Sequence, residues 1–149
     1  MITFKTLEIS DIDIITVMME DFYAIDNYPI EAQATKKMFQ EFISNENFGK
    51  AWLIYADNKI AGYVILTYIF SFEYGGKIAF VDELFIKQSA RGKGIGKETI
   101  QFVQQESPKL SLKLLYLEVE NHNENAQKLY IAQDFGFHNR KLMKYKIAK

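Results

Sequence analysis

The chain has 149 residues, 48% hydrophobic and 15% aromatic, enough apolar side chain for one well-filled core and too little length for two full domains. It contains no cysteine and two histidines, which excludes a disulfide framework and a thiol nucleophile and leaves only scattered carboxylates for a metal, so none is expected. No apolar run is long enough to span a bilayer and no cationic-then-apolar segment resembles a secretion signal, so the expected address is the cytoplasm and no membrane partner is expected.

Taken in chain order, Ile2 to Leu7 reads as a first strand. Ser10 is placed to cap a helix running to Asp21, with Asp11 and Asp13 in its first turn. Pro29 then opens a second helix ending near Ser44. Ala51 to Ala56 and Ile60 to Phe70 read as strands joined by an Asp57-Asn58 turn. After a turn at Glu73 to Gly76, Ile78 to Ile86 returns as a strand. A helix from Gly94 to Gln105, a strand from Leu112 to Val119, a helix from Asn123 to Asp134 and a strand from Lys141 to Ile147 complete the series. Antiparallel hairpins followed by a βαβ-like unit predict a mixed α/β (α+β) fold in a single domain over residues 1–149. Its sheet should be strongly twisted, largely antiparallel and six- to seven-stranded, with about four helices divided between the two faces.

Net charge is −1, but it is unevenly spread: residues 1–75 carry eleven acids against five bases, and residues 76–149 carry eight acids against thirteen bases. A basic second half suits a polyanionic ligand, and an acidic first half suits a cationic one, although solvated surface accounts equally well for the acids. No clustered basic stripe or aromatic-basic motif points to nucleic acid.

The segment from Val81 to Lys97 carries the most chemistry. A β-branched and aromatic run holding the adjacent acids Asp82 and Glu83 leads into a loop of glycines and cations, and that loop opens a helix. Glycines at 92, 94 and 96 allow the backbone to approach a ligand. The helix start presents unpaired N–H groups and its positive dipole end, and Arg91, Lys93 and Lys97 add charge at the same place. Together they form a cradle for a phosphate or pyrophosphate. A Walker A loop does not fit, because Gly96-Lys97 is followed by Glu98 rather than serine or threonine. A dinucleotide fingerprint fits poorly, because the glycines run G-x-G-x-G and Lys87 to Ala90 separate strand from turn, though Glu118 could then serve as a ribose-binding acid. A glycine-rich surface turn is the plain alternative.

Arg91-x-x-Gly94-x-Gly96 resembles the acetyl-CoA signature (Q/R-x-x-G-x-G/A) of the GNAT N-acetyltransferase superfamily. Asn123-x-x-Ala126-x-x-Leu129-Tyr130, followed by Gly136-Phe137, resembles that family's second signature. The resemblance runs from about Ile60 to Phe137, with one departure: Ile131 to Phe135 is a longer spacer before Gly-Phe than the family usually has. It implies an acetyl-CoA-dependent N-acetyltransferase working by direct transfer in a ternary complex. Leu84, Phe85 and Ile86 would offer backbone groups to the pantetheine arm, a backbone N–H at the end of that segment would meet the oxyanion, and Arg91, Gly92, Lys93, Gly94, Ile95, Gly96 and Lys97 would hold the pyrophosphate. Asn123 would cap its helix or bond the arm, with Ala126 and Tyr130 beside it. The Leu-Glu-Asp-Phe-Phe-Val segment of the polyamine-acetylating branch aligns without gaps on Val81 to Ile86.

An alkylammonium has a pKa near 10.4, so about one molecule in several thousand is a free nucleophile at pH 7. A base is therefore needed, and Asp82 and Glu83 are the candidates. On a regular strand they point to opposite faces, so one of them at most faces the reacting groups. Tyr130 is the candidate acid for the departing thiolate, against the alternative of a core tyrosine on an apolar helix face. The junction around Asp21, Phe22, Tyr23, Asp26 and Tyr28 is the expected wall for a small, cationic primary amine. A protein N-terminus or lysine is a further acceptor class, a non-catalytic acyl-CoA sensor is the rival reading, and a homodimer is left open.

Overall fold

The computed structural model describes residues 1–148. The chain divides into two compact units, Met1–Glu118 and Val119–Lys149. The first holds a five-stranded sheet in the order β1-β2-β3-β4-β5. Its strands are β1 (Ile2–Thr6), β2 (Gly49–Ala56), β3 (Lys59–Ser71), β4 (Gly76–Ile86) and β5 (Leu115–Tyr116). The first four pair antiparallel, and β5 joins β4 in parallel. The sheet is thus mixed and largely antiparallel, with five strands among the described residues rather than six to seven.

The shortfall lies at the C-terminal end. The strand expected over Leu112 to Val119 reduces to Leu115–Tyr116. Lys141 to Ile147 forms no strand: Leu142, Met143, Tyr145 and Ile147 stand exposed. Alternation of apolar and cationic residues supplies the pattern of a half-buried strand there, but a strand needs a partner to satisfy its backbone, and among the described residues none is paired to it.

Helices α1 (Ile12–Ile25) and α2 (Ala32–Ser44) cover one face of the sheet. Ile15, Met18 and Met19 from α1 and Phe39 from α2 pack on Ala51, Leu53, Tyr63, Ile65 and Phe85. Helix α3 (Ile95–Glu106) covers the other face, where Val103 and Phe102 meet Trp52, Val64, Leu66, Ala79 and Val81. Phe102 stacks on Phe4 at 4.0 Å and meets Trp52 edge-on at 5.3 Å.

Two helix starts differ from expectation. Ser10 lies within a short 3-10 turn, Ile9–Asp11, rather than capping α1. That junction is instead fastened by Asp11, whose buried carboxylate accepts from Lys5 Nζ at 2.6 Å and from the Glu8 N–H at 3.0 Å. Helix α2 starts at Ala32 rather than at Pro29, because the Glu31 side chain accepts the N–H groups of Gln33 and Ala34 and so fixes the first turn. The Asp57-Asn58 turn forms as expected, both residues adopting the left-handed φ (50° and 66°) that two-residue hairpin loops require.

The second unit contains α4 (Glu124–Ala132). Asn123 caps it, its Oδ1 accepting from the Ala126 N–H at 3.1 Å. No helix among the described residues is long and apolar enough to cross a membrane.

Candidate active site

The site begins with an irregularity in β4. Glu83 pairs with Ile65 and Val81 with Leu66, so Asp82 is an extra residue with no counterpart on β3. Such a bulge shifts the alternation of side chains by one position. C-terminal to it, Glu83 and Phe85 share the α1/α2 face with Tyr63 and Ile65. N-terminal to it, Val81 drops to the α3 face, where Leu84 also packs. The adjacent carboxylates therefore part company: Glu83 is largely enclosed, and Asp82 is exposed at the bulge.

Glu83 is held by two phenols. The Tyr63 hydroxyl donates to Oε1 at 2.8 Å, and the Tyr23 hydroxyl donates to Oε2 at 2.7 Å. Tyr63 comes from β3 and is completely buried; Tyr23 comes from the last turn of α1 and is only partly so. Phe22 closes the apolar side, with its ring 5.3 Å from Phe85 and 6.5 Å from Tyr63. Burial pushes the Glu83 carboxyl above the ordinary carboxylate range; the two phenol bonds pull it back, and the Asp82 charge raises it further. Burial also raises both phenols, with the Glu83 charge adding to the effect, so both remain protonated donors at neutral pH. Neighbouring protein desolvates the exposed Asp82 carboxyl enough to raise it as well. A carboxylate that is enclosed, negatively charged and inclined to take a proton is what amine deprotonation requires.

On the far side of the bulge the strand edge opens. β5 pairs β4 only at Ala79 and Phe80, so among the described residues the outer edge of β4 from Val81 to Ile86 carries no strand. Its backbone groups are available to an extended ligand, with one reservation: the Ile86 carbonyl accepts from Arg91 Nε at 2.9 Å. Arg91 is thereby tied back to the strand, its guanidinium 6.0 Å from the Phe85 ring centre. The loop beyond it leads to α3. Gly94 is the N-cap in a left-handed conformation (φ 76°) and provides no side-chain cap, leaving the N–H groups of the first turn unmet from within. A Cβ built on Gly92 or Gly94 would meet no atom within 4 Å, so open space lies over the loop. Lys93 and Lys97 are exposed around it, and Ile95 is buried as the helix anchor.

The acetyltransferase (GNAT) family model matches residues 13–137. The chain belongs to that family. An uncharacterised N-acetyltransferase from the pepI 3′ region of Lactobacillus delbrueckii subsp. lactis is 23% identical over 145 residues, covering 87% of this chain and 82% of that one. Among solved structures, an integron cassette protein from the mobile metagenome of Cole Harbour Salt Marsh superposes with a TM-score of 0.88 at 29% identity, covering 98% and 91% of the two chains. A protein from Clostridium acetobutylicum described as a predicted acetyltransferase, crystallised with acetyl-CoA, superposes with a TM-score of 0.79 at 12% identity over 97% and 96%.

The GNAT protein is an acetyl-CoA-dependent N-acetyltransferase, and the loop before α3 has the features its cofactor asks for. An uncapped helix start, glycines with open space above them and flanking cations suit a pyrophosphate, and the free edge of β4 suits the amides of a pantetheine arm. Acetyl-CoA supplies the activated thioester.

Of the expected acceptor wall, Phe22 and Tyr23 are brought to Glu83, whereas Asp21, Asp26 and Tyr28 face solvent at the end of α1 and beyond. Tyr63 was not among the expected site residues. Its one sequence signal was its place on β3 in phase with the inward-facing Ile65, and phase alone does not distinguish a packed tyrosine from a functional one. In the second unit, Tyr130 is partly buried on α4, which pushes its phenol up. The long spacer after it is absorbed by the helix end: Asp134 adopts φ 71°, its N–H bonds the Ile131 carbonyl, and the Phe135 N–H bonds the Tyr130 carbonyl. That is a Schellman turn, and the Phe135 ring closes it against Tyr130 at 6.0 Å.

Proposed function

We propose that this enzyme acetylates the primary amine of a small cationic metabolite by direct transfer from acetyl-CoA, with Glu83 as the base. The observation that carries this is the enclosed Glu83 carboxylate with a phenol on each oxygen, 2.7 Å and 2.8 Å away, on the strand that leads to the cofactor loop. A buried anion attracts an ammonium and, being inclined toward protonation, takes its proton. Asp82, exposed at the bulge, adds negative charge for the incoming cation rather than accepting the proton. Asp21, Asp26 and Tyr28 form the outer, solvent-facing part of the acceptor route, and Phe22 and Tyr23 the inner part.

Backbone groups of Leu84, Phe85 and Ile86 receive the pantetheine arm and the developing oxyanion, and the residues from Arg91 to Lys97 receive the pyrophosphate. Tyr130 is assigned the proton of the departing thiolate on the family's second motif, with Asn123 and Ala126 shaping its helix. The family match from 13 to 137 runs through both compact units, which supports reading residues 1–149 as one acetyltransferase domain. A small polyamine or an aminoglycoside has the charge this site favours; a peptide N-terminus carries less.

The test is a panel of primary amines (spermidine, an aminoglycoside, a free amino acid and an N-terminal peptide) with acetyl-CoA, followed as free thiol. Polycationic amines should be turned over fastest, and Glu83→Gln should lose about two orders of magnitude near pH 7. Preference for the neutral-flanked peptide would overturn the acceptor class, and full activity of Glu83→Gln would overturn the base.

A further inference from the structure

The two phenols on Glu83 are chemically equal but mechanically unequal. Tyr63 is fixed in the middle of β3, with no exposed surface, and its ring is packed against Phe22 and Phe85. Tyr23 is partly exposed and sits in the final turn of α1, where the helix gives way to Asn27 at φ 57°. Its ring meets Phe22 on one edge, 6.0 Å away. One donor is built into the sheet, and the other hangs from a helix end that borders solvent.

We propose that Tyr63 is a permanent positioning residue for the Glu83 base, and that Tyr23 is a placeholder which the acceptor's ammonium displaces from Oε2. This rests on reading Glu83 as the base. A neutral phenol and an alkylammonium both donate to a carboxylate oxygen, but the ammonium bond is charge-assisted and about twice as strong. The exchange therefore favours the substrate without leaving an oxygen of the enclosed carboxylate unmet in its absence. Tyr63 on Oε1 keeps the carboxylate plane fixed while Oε2 changes partner.

The proton balance follows. The ammonium gives one proton to Oε2, and the freed nitrogen attacks the thioester carbonyl carbon. The carbon–nitrogen bond forms as the carbon–sulfur bond breaks, and the second nitrogen proton ends on the thiolate. Glu83 returns its proton to water, and Tyr23 resumes its bond to Oε2. The charged and titratable groups bearing on Glu83 are Tyr23 from α1, Tyr63 from β3 and Asp82 on its own strand.

The test is a titration of the Glu83 carboxyl by carbon NMR in the full chain labelled at glutamate side-chain carboxyls, with the signal assigned by its absence in Glu83→Gln. Spermidine is the probe amine. Without it, Tyr23→Phe and Tyr63→Phe should each raise the Glu83 midpoint by about one pH unit, since each removes a donor that favours the charged form. With saturating spermidine, Tyr23→Phe should titrate like wild type, because its donor has already left, while Tyr63→Phe should remain offset. A persistent offset in Tyr23→Phe under spermidine, including the case in which spermidine has no effect, overturns the placeholder. So does the absence of any offset in its absence. Should Tyr63→Phe fail to fold, Tyr23→Phe decides alone. Loss of the underlying reading looks different: Glu83→Gln would then acetylate at the wild-type rate whatever the titrations show.

Discussion

Gly62 and Phe85 lie so close across the β3–β4 ladder that a Cβ on Gly62 would stand 2.0 Å from the Phe85 carbonyl oxygen. The obstacle is backbone, which cannot swing aside as a flexible side chain would. Phe85 is two residues from Glu83 and forms part of its apolar enclosure, so the narrow fit at Gly62 sets where the strand bearing Glu83 lies against the sheet.

Replacing Gly62 by alanine should therefore force β3 and β4 apart locally. We expect a loss of about 1–3 kcal/mol in urea unfolding, the usual cost of overpacking a filled core, and reduced kcat as Glu83 moves. Unchanged stability would mean the two strands approach less closely than described.

Gly94 and Gly96 separate strain from charge. Gly94→Ala places a side chain at a left-handed position (φ 76°), at a cost of about 1–2 kcal/mol, and also intrudes on the open space over the loop. Gly96→Asp adds a negative charge to the first turn of α3, which favours the helix dipole and should hold or raise the melting temperature of the free protein. Both variants should lose most of the upward melting shift that acetyl-CoA produces in wild type. If Gly96→Asp keeps that shift in full, the anion is bound elsewhere.

Tyr130→Phe should lower kcat by about tenfold to a thousandfold while acetyl-CoA affinity stays within a few-fold. Burial raises the Tyr130 phenol, so it keeps its proton throughout pH 7 to 9 and the loss should be nearly constant over that range. A kcat equal to wild type would make Tyr130 a packing residue whose ring simply closes the turn with Phe135.

Glu83→Gln should trade activity for stability in a pH-dependent way. The Glu83 carboxyl is raised in the folded protein by burial, so the folded state binds more protons than the unfolded chain above the ordinary glutamate range. The stabilisation that protonation provides is complete below the unfolded value and is lost as pH rises through the folded one. The amide has no such loss. The melting temperature of Glu83→Gln minus that of wild type should accordingly grow between pH 4.5 and 7. A difference that shrinks with pH would show that the phenol bonds outweigh burial.

Much of this architecture was legible before any coordinates. The glycine–cation loop, the hairpin turn at Asp57-Asn58 and the helices that follow are dictated by local chemistry, and local chemistry is visible in sequence. The pairing of the two carboxylates with opposite environments was also readable from strand alternation. Which one faced inward was not, because the answer depended on the bulge at Asp82, and a bulge is defined by the residue count on the partner strand. Tyr63 was missed for the same reason, since its meaning lies in a contact between residues 20 apart. The strand expected over Lys141 to Ile147 failed in the opposite sense: alternation described a face to bury, but pairing is a property of two segments, and only one was in view.

The bulge also makes β4 a strand that is read in two frames. Every residue before Asp82 takes its side from one parity, and every residue after it from the other. Substituting Asp82 changes a charge at the surface, whereas deleting it removes the frame change. Val81, opposite Leu66, and Glu83, opposite Ile65, would then be neighbours in one regular ladder, each on the face it already occupies. A single-codon deletion here should cost the local kink and one surface charge while Glu83 keeps its place, whereas a further inserted residue would turn one half of the strand over.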